Sequence, residues 1–199
     1  MTMARLLPNP SAAVFVLLPT SAWAHPGIAG HFHGFANGFV HPLTGIDHVL
    51  AMVAVGMFAA QLGGRALWLV PSAFVCVMAL AGIAGMSGIN LPFVEVGIAM
   101  SVVVLGLAVA FQLNVPTLVG MVFVGFFAVF HGYAHGAEMP ASVSGLSYGL
   151  GFVCATALLH ATGVGLGLAI GKAGEVSSRR IARIGGVAIA VAGAAILMS

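Results

Sequence analysis

Two short stretches carry most of the side chains in this 199-residue chain that can do chemistry. His41-Pro42-Leu43-Thr44-Gly45-Ile46-Asp47-His48 sets two imidazoles and a carboxylate at the start of an apolar run from Val49 to Leu62. Phe130-His131-Gly132-Tyr133-Ala134-His135-Gly136-Ala137-Glu138 sets two more imidazoles four residues apart, with Glu138 three residues further on. Residues four apart share one face of a helix, a spacing that suits a common metal ion. Imidazole and carboxylate without thiolate disfavour copper(I) and structural zinc. They favour nickel(II), cobalt(II) or zinc(II) in an open, exchangeable site. The candidate ligands are therefore His41, Asp47, His48, His131, His135 and Glu138.

The rest of the chain must hold these groups in a membrane. Apolar residues make up 61% of it and charged residues 5%, with a mean hydropathy of +1.15. Soluble domains carry charge on about a quarter of their residues, so a soluble domain is excluded. The formal charge of +2 rests on six basic and four acidic residues, too few for a nucleic-acid footprint. An ionisable side chain at mid-bilayer costs about 2.5–3.5 kcal/mol on the insertion scale and usually lines a cavity or a pathway. Cys76 and Cys154 lie in apolar runs without C-x-x-C spacing and read as buried small hydrophobes. Met52, one turn after His48, is the methionine placed to join a site.

Arg5, the apolar Ala12 to Leu18 and Ala22-Trp23-Ala24 form the pattern of a cleavable signal peptide over residues 1–24, leaving His25 at the mature N-terminus. Residues 25–42, with His25, His31 and His33, are too polar and Gly-broken for a span. They read as a periplasmic lead-in, either a loose metal-collecting arm or simply solvated histidines. Residues 43–199 divide into spans near 43–62, 66–86, 93–112, 115–135, 145–170 and 184–198, of the length a hydrocarbon core of about 30 Å requires. The expected fold is all-α: a six-transmembrane-helix bundle after a signal peptide. Gly145 and Gly149, then Gly163, Gly167 and Gly171, follow four-residue spacings that allow close helix approach.

A chain that starts outside and crosses six times puts Arg65, Lys172, Arg179, Arg180 and Arg183 on one side, which the positive-inside bias makes the cytoplasm. Both mature termini are then periplasmic, in a bacterial inner membrane. His41, Asp47 and His48 open the first span at its outer end, Glu95 opens the third there, and His131 and His135 close the fourth. Three helices thus bring ligands to one level. His160 lies deeper in the fifth span, as a second station or as a helix–helix hydrogen-bond partner near Thr156 or Thr162. Plainer roles compete: Thr44-x-x-Asp47 fits a capping box, and His41 before Pro42 can face water in an extended segment. His25, Glu95 and His160 are secondary candidates.

The signature His41-Pro-x-x-Gly-x-Asp47-His48-x-x-x-Met52, with Phe130-His131-Gly132-x-Ala134-His135-Gly136-x-Glu138, closely resembles the HupE/UreJ family of membrane proteins along essentially the whole chain. The resemblance implies a permease, not an enzyme, importing nickel or cobalt for hydrogenase or urease maturation. It also implies ligands at His41, Asp47, His48, His131, His135 and Glu138; Glu95 stands on its depth alone. No prosthetic group is expected, and with no nucleotide-binding motif, transport is not expected to be ATP-driven by this chain. Ligation requires neutral imidazole, so uptake is expected to fail at low pH. The expected partners are the lipid bilayer and the divalent cation, with no nucleic acid and with a homo-oligomer left open. Two rivals remain. Gly85-Met86-Ser87-Gly88 matches the G-x-S-G of rhomboid-type intramembrane proteases, and paired helical histidines are the hallmark of haem-binding subunits.

Overall fold

A computed structural model describes residues 29–199, with side chains from His33 onward. The signal peptide and His25 lie outside these residues. Seven helices and no strand are found among the described residues: α1 (Ala29–Thr44), α2 (Ile46–Leu62), α3 (Ala66–Met86), α4 (Val94–Ala110), α5 (Thr117–Ala137), α6 (Gly145–Gly171) and α7 (Glu175–Leu197). The all-α expectation holds; by length and composition alone, fewer than six spans qualify among the described residues. Among the described residues α3, α5, α6 and α7 are long and apolar enough to cross a membrane, and α1 with α2 makes a fifth if the pair is one broken span. At 17 residues each, α2 and α4 rise only about 25 Å, short of a hydrocarbon core of about 30 Å.

Two boundaries depart from the expected ones because packing and charge pairing override the apolar pattern. The polar segment expected as a loose arm is helical from Ala29, with Pro42 inside its last turn. Gly38 and Gly151 let α1 and α6 meet backbone to backbone, since a Cβ at either would overlap the Tyr148 or Phe35 carbonyl. α7 begins at Glu175 rather than near 184, its first turns held by the Glu175–Arg179 pair at 2.7 Å, four residues apart. The cysteines are also not where expected. Cys76 and Cys154 are exposed on the outer faces of α3 and α6, where a thiol facing lipid is as apolar as a thiol in the core.

Helix pairing fixes the two ends of the bundle. α3 lies along α5, α4 along α7, and α6 along both α1 and α2. Val53 of α2 packs at Gly163 of α6, and Met57 and Ala60 pack at Gly167, so α2 and α6 run parallel and Arg65 shares an end with Lys172. Gly106 meets Gly186 and Ala190 while Val102 meets Gly193, so α4 and α7 are antiparallel and Arg179, Arg180 and Arg183 come to that same end. Every described Lys and Arg therefore lies opposite the His/Asp/Glu cluster. Of the glycines singled out by spacing, Gly163 and Gly167 are at helix contacts, whereas Gly149 and Gly171 face open space and Gly145 meets only methionine side chains.

Two of the tightest approaches join α3 and α5 beside the cluster. A Cβ on Gly132 would overlap the Met78 carbonyl, and one on Gly136 the Gly82 carbonyl. Both contacts press α5 onto α3 and so orient the face that carries His131 and His135. Replacing Gly132 with Ala is expected to lower unfolding stability in detergent by about 1–3 kcal/mol through overpacking. Gly149→Ala, which meets nothing within 4 Å, should be neutral or slightly stabilising. Equal thermal midpoints for the two variants would contradict this packing.

Candidate metal centre

The helix break at Gly45 gathers the first set of ligands. α1 ends and α2 begins here with an 82° bend, bringing His41 from one last turn beside Asp47 and His48 from the next first turn. Gly45 has extended backbone (φ −88°, ψ 114°). A Cβ there would lie 2.7 Å from Asp47 Oδ1 and 3.0 Å from His48 Nδ1, so a glycine leaves the space these side chains occupy. The last turns of α5 and the first turn of α4 close around the bend. The result is an outer pocket of about 220 Å³ lined by His41, Asp47, His48, Glu95, His135 and Glu138.

At the pocket's rim, His41 Nε2 lies 3.2 Å from Glu138 Oε2, with 37% and 54% of the two side chains exposed. One donor atom from each of His41, His135 and Glu138 fits within 4.8 Å of the others, the one such triple among the described residues. Ligands about 2.1 Å from a common ion lie about 3–4 Å from each other, so small side-chain rotations gather these three. Inward from the rim the imidazoles form a file that passes between helices. The ring centroids of His41 and His135 are 4.8 Å apart, His135 and His48 4.3 Å, and His48 and His131 4.7 Å. Beyond His131, the Phe74 ring lies 5.7 Å from His131 and 5.2 Å from His160.

Past the rim, every histidine of this file is buried. His48 is 8% exposed, His135 4%, His131 0% and His160 1%. Buried polar atoms normally have hydrogen-bond partners. Yet His48 Nε2, His131 Nδ1 and both ring nitrogens of His135 and His160 have none in the protein. Such donors suit a borderline divalent cation, which neutral imidazole binds through its lone pair. The helix–helix hydrogen bond considered for His160 does not form. Thr156 directs its hydroxyl to Met78 Sδ at 3.8 Å and Thr162 to the Leu158 carbonyl at 2.9 Å.

Asp47 lines the pocket and also supports His48. Its Oδ1 accepts the His48 backbone N–H at 2.7 Å and lies 2.8 Å from His48 Nδ1, which donates to it. The Thr44 hydroxyl donates instead to the His41 carbonyl at 2.7 Å, so no Thr44–Asp47 capping box exists. Asp47 therefore satisfies the helix start and orients His48 with one oxygen. The proton on Nδ1 leaves the lone pair on Nε2, and a carboxylate behind a ligating histidine raises its basicity.

Several neighbours were not legible as functional. Ser101 lies 2.8 Å from His131 Nε2, and Tyr148 stands 6.1 Å ring to ring from His41 with its hydroxyl unpartnered. Ser101 stands out only as a lone hydroxyl in the apolar run of α4; Phe74 is one phenylalanine among thirteen. Met52 is fully buried in the core, and Phe130 packs against Gly97. His33 is exposed on α1. The protease reading loses its nucleophile geometry, because Ser87 caps α3 and donates to the Ala84 carbonyl at 2.7 Å rather than to an imidazole. The haem reading fails on space, since rings in edge contact at 4.3–4.8 Å admit no macrocycle between them.

Comparison with known proteins agrees with the family resemblance. The family model described as HupE / UreJ protein matches residues 13–196. Protein HupE of Rhizobium leguminosarum bv. viciae is 50% identical over 182 residues, covering 91% of this chain and 92% of that protein. No solved structure matches the chain. A match over nearly the whole length, with a relative at this identity, means that the chain belongs to the HupE/UreJ family.

Proposed function

We infer that the chain is a permease of the bacterial inner membrane that imports a divalent transition-metal cation, nickel(II), from the periplasm for hydrogenase or urease maturation. Cobalt or zinc is the alternative cargo for the same architecture. The observation that carries this reading is the file of imidazoles running from the exposed His41–Glu138 rim through His135 and His48 to the fully buried His131. Family membership supports the link to hydrogenase and urease.

Six crossings follow if the bent α1–α2 pair counts as the first and α4 as the third, with the basic end of the bundle in the cytoplasm. The cluster then faces the periplasm. Broken helices at binding sites are a recurrent transporter device, because interrupted backbone is tolerated where it lines a cavity.

The chemistry is stepwise ligand exchange. The Glu138 carboxylate attracts a hydrated cation to the rim, where His41 and His135 replace waters. His135 touches both His41 and His48, so the ion can gain an inner ligand before losing an outer one. Asp47, just behind His48, offsets the ion's charge as the surroundings become apolar. No single station supplies a closed cage, which suits release as much as capture.

Two results are expected. His48→Ala and His131→Ala should abolish accumulation of radioactive nickel by cells while both variants reach the membrane in normal amounts; normal uptake by both would sink the reading. Asp47→Asn keeps the side chain's size but loses the charged acceptor. It should weaken nickel binding to the purified protein about 10–100-fold, the usual effect of losing such a partner. Unchanged affinity in a metal titration would confine Asp47 to the helix start.

A further inference from the structure

His131, the deeper histidine of α5, has a polar neighbour that acts on its proton. Ser101 on α4 is fully buried. Its Oγ lies 2.6 Å from the Ile98 carbonyl oxygen and 2.8 Å from His131 Nε2. A serine hydroxyl has one proton to give, and a carbonyl oxygen can only accept. At 2.6 Å that proton lies toward Ile98, leaving an Oγ lone pair facing Nε2. A hydrogen bond forms there when Nε2 carries the ring proton.

We propose that Ser101 is a positioning residue that holds His131 as the neutral Nε2–H tautomer and so keeps the Nδ1 lone pair free for the transported cation. The cation half of this inference rests on the permease reading; the tautomer half does not. His131 Nδ1 is buried and has no protein partner.

The adjacent ring is fixed the opposite way. Asp47 accepts a hydrogen bond from Nδ1–H of His48 and leaves the lone pair on Nε2, while Ser101 accepts one from Nε2–H of His131 and leaves the lone pair on Nδ1. The two rings stand 4.7 Å apart and almost perpendicular, at 87°. Their supports also differ in charge. A carboxylate strengthens the lone pair of the imidazole it holds, whereas a neutral hydroxyl already committed to a carbonyl adds little. His131 is thus the weaker donor of the pair, which eases onward release from the deeper station.

The test uses the full chain in lipid bilayers, metal-free, with ¹⁵N-labelled histidine. Solid-state NMR distinguishes the two neutral tautomers, and the His131 signals are identified by their loss in His131→Gln. The expected result is a single Nε2–H tautomer in the unsubstituted chain, retained in Ser101→Thr and replaced by a mixture or by Nδ1–H in Ser101→Ala. An Nδ1–H tautomer in the unsubstituted chain, or the same tautomer in Ser101→Ala, would overturn the proposal. Should Ser101→Ala not accumulate, Ser101→Cys serves as the weaker hydrogen-bond partner.

In uptake assays with nickel, Ser101→Ala should raise KM about tenfold, the low end of the usual loss for such partners, with membrane protein levels unchanged and Ser101→Thr restoring uptake. An unchanged KM would remove the cation half of the proposal. Absence of nickel uptake by the unsubstituted chain would instead reject the cargo, and the NMR result would still decide the tautomer.

Discussion

The histidine-bearing end of the bundle depends on the break at Gly45. Without it, one continuous helix would carry His41 and His48 two turns apart along its axis, on a rod with no pocket to line. The 82° bend folds these turns toward each other, and Asp47 secures the arrangement by accepting both the backbone N–H and the ring N–H of His48. The bend thus creates two things together: a cavity mouth, and a histidine whose lone pair is already chosen. His131, carried by α5, stands 4.7 Å from this fixed ring.

Placing four imidazoles where water is scarce is costly in proportion to the polar atoms left unpaired. The fold limits that cost by making the surrounding contacts close. Gly132 and Gly136 seat α5 against α3, and Gly56 and Gly163 bring α2 against α6 beside His160. Small residues let backbones touch where lipid provides no hydrophobic drive for helices to associate. The histidines are therefore carried on rigid, tightly paired helices rather than on loops. For the proposed cation path, a rigid file of weak donors suits passage better than one deep trap, because a station that conducts must also release.

Much of this was legible in the sequence because charge is so rare here. In an apolar chain His41, His48, His131, His135 and Glu138 stand out by type alone, and four-residue spacing already set His131 and His135 on one face. The structure brings all but His131 to a single pocket, with His131 directly beneath. The helical continuity of α1 was not legible, since tertiary contact with α6 outweighs its glycines and Pro42. Nor was the role of Asp47, whose orientation depends on a bend that residue types do not encode. Glycine spacing was an uneven guide because the pattern marks a stripe without naming its partner: Gly167 meets α2, while Gly171, one turn further on, meets nothing. Ser101 needed the structure outright, since its meaning lies in a neighbour thirty residues away.

The proposed permease moves nickel along the buried histidines by itself. The most direct measurement is influx into proteoliposomes containing the purified chain as their only protein and a nickel-quenched fluorophore inside. His135→Ala serves as the comparison, because His135 links the rim to the inner rings. Quenching should require the intact chain and be lost in His135→Ala. Equal quenching by both proteins, or none above that of empty vesicles with the intact chain, would contradict the permease reading.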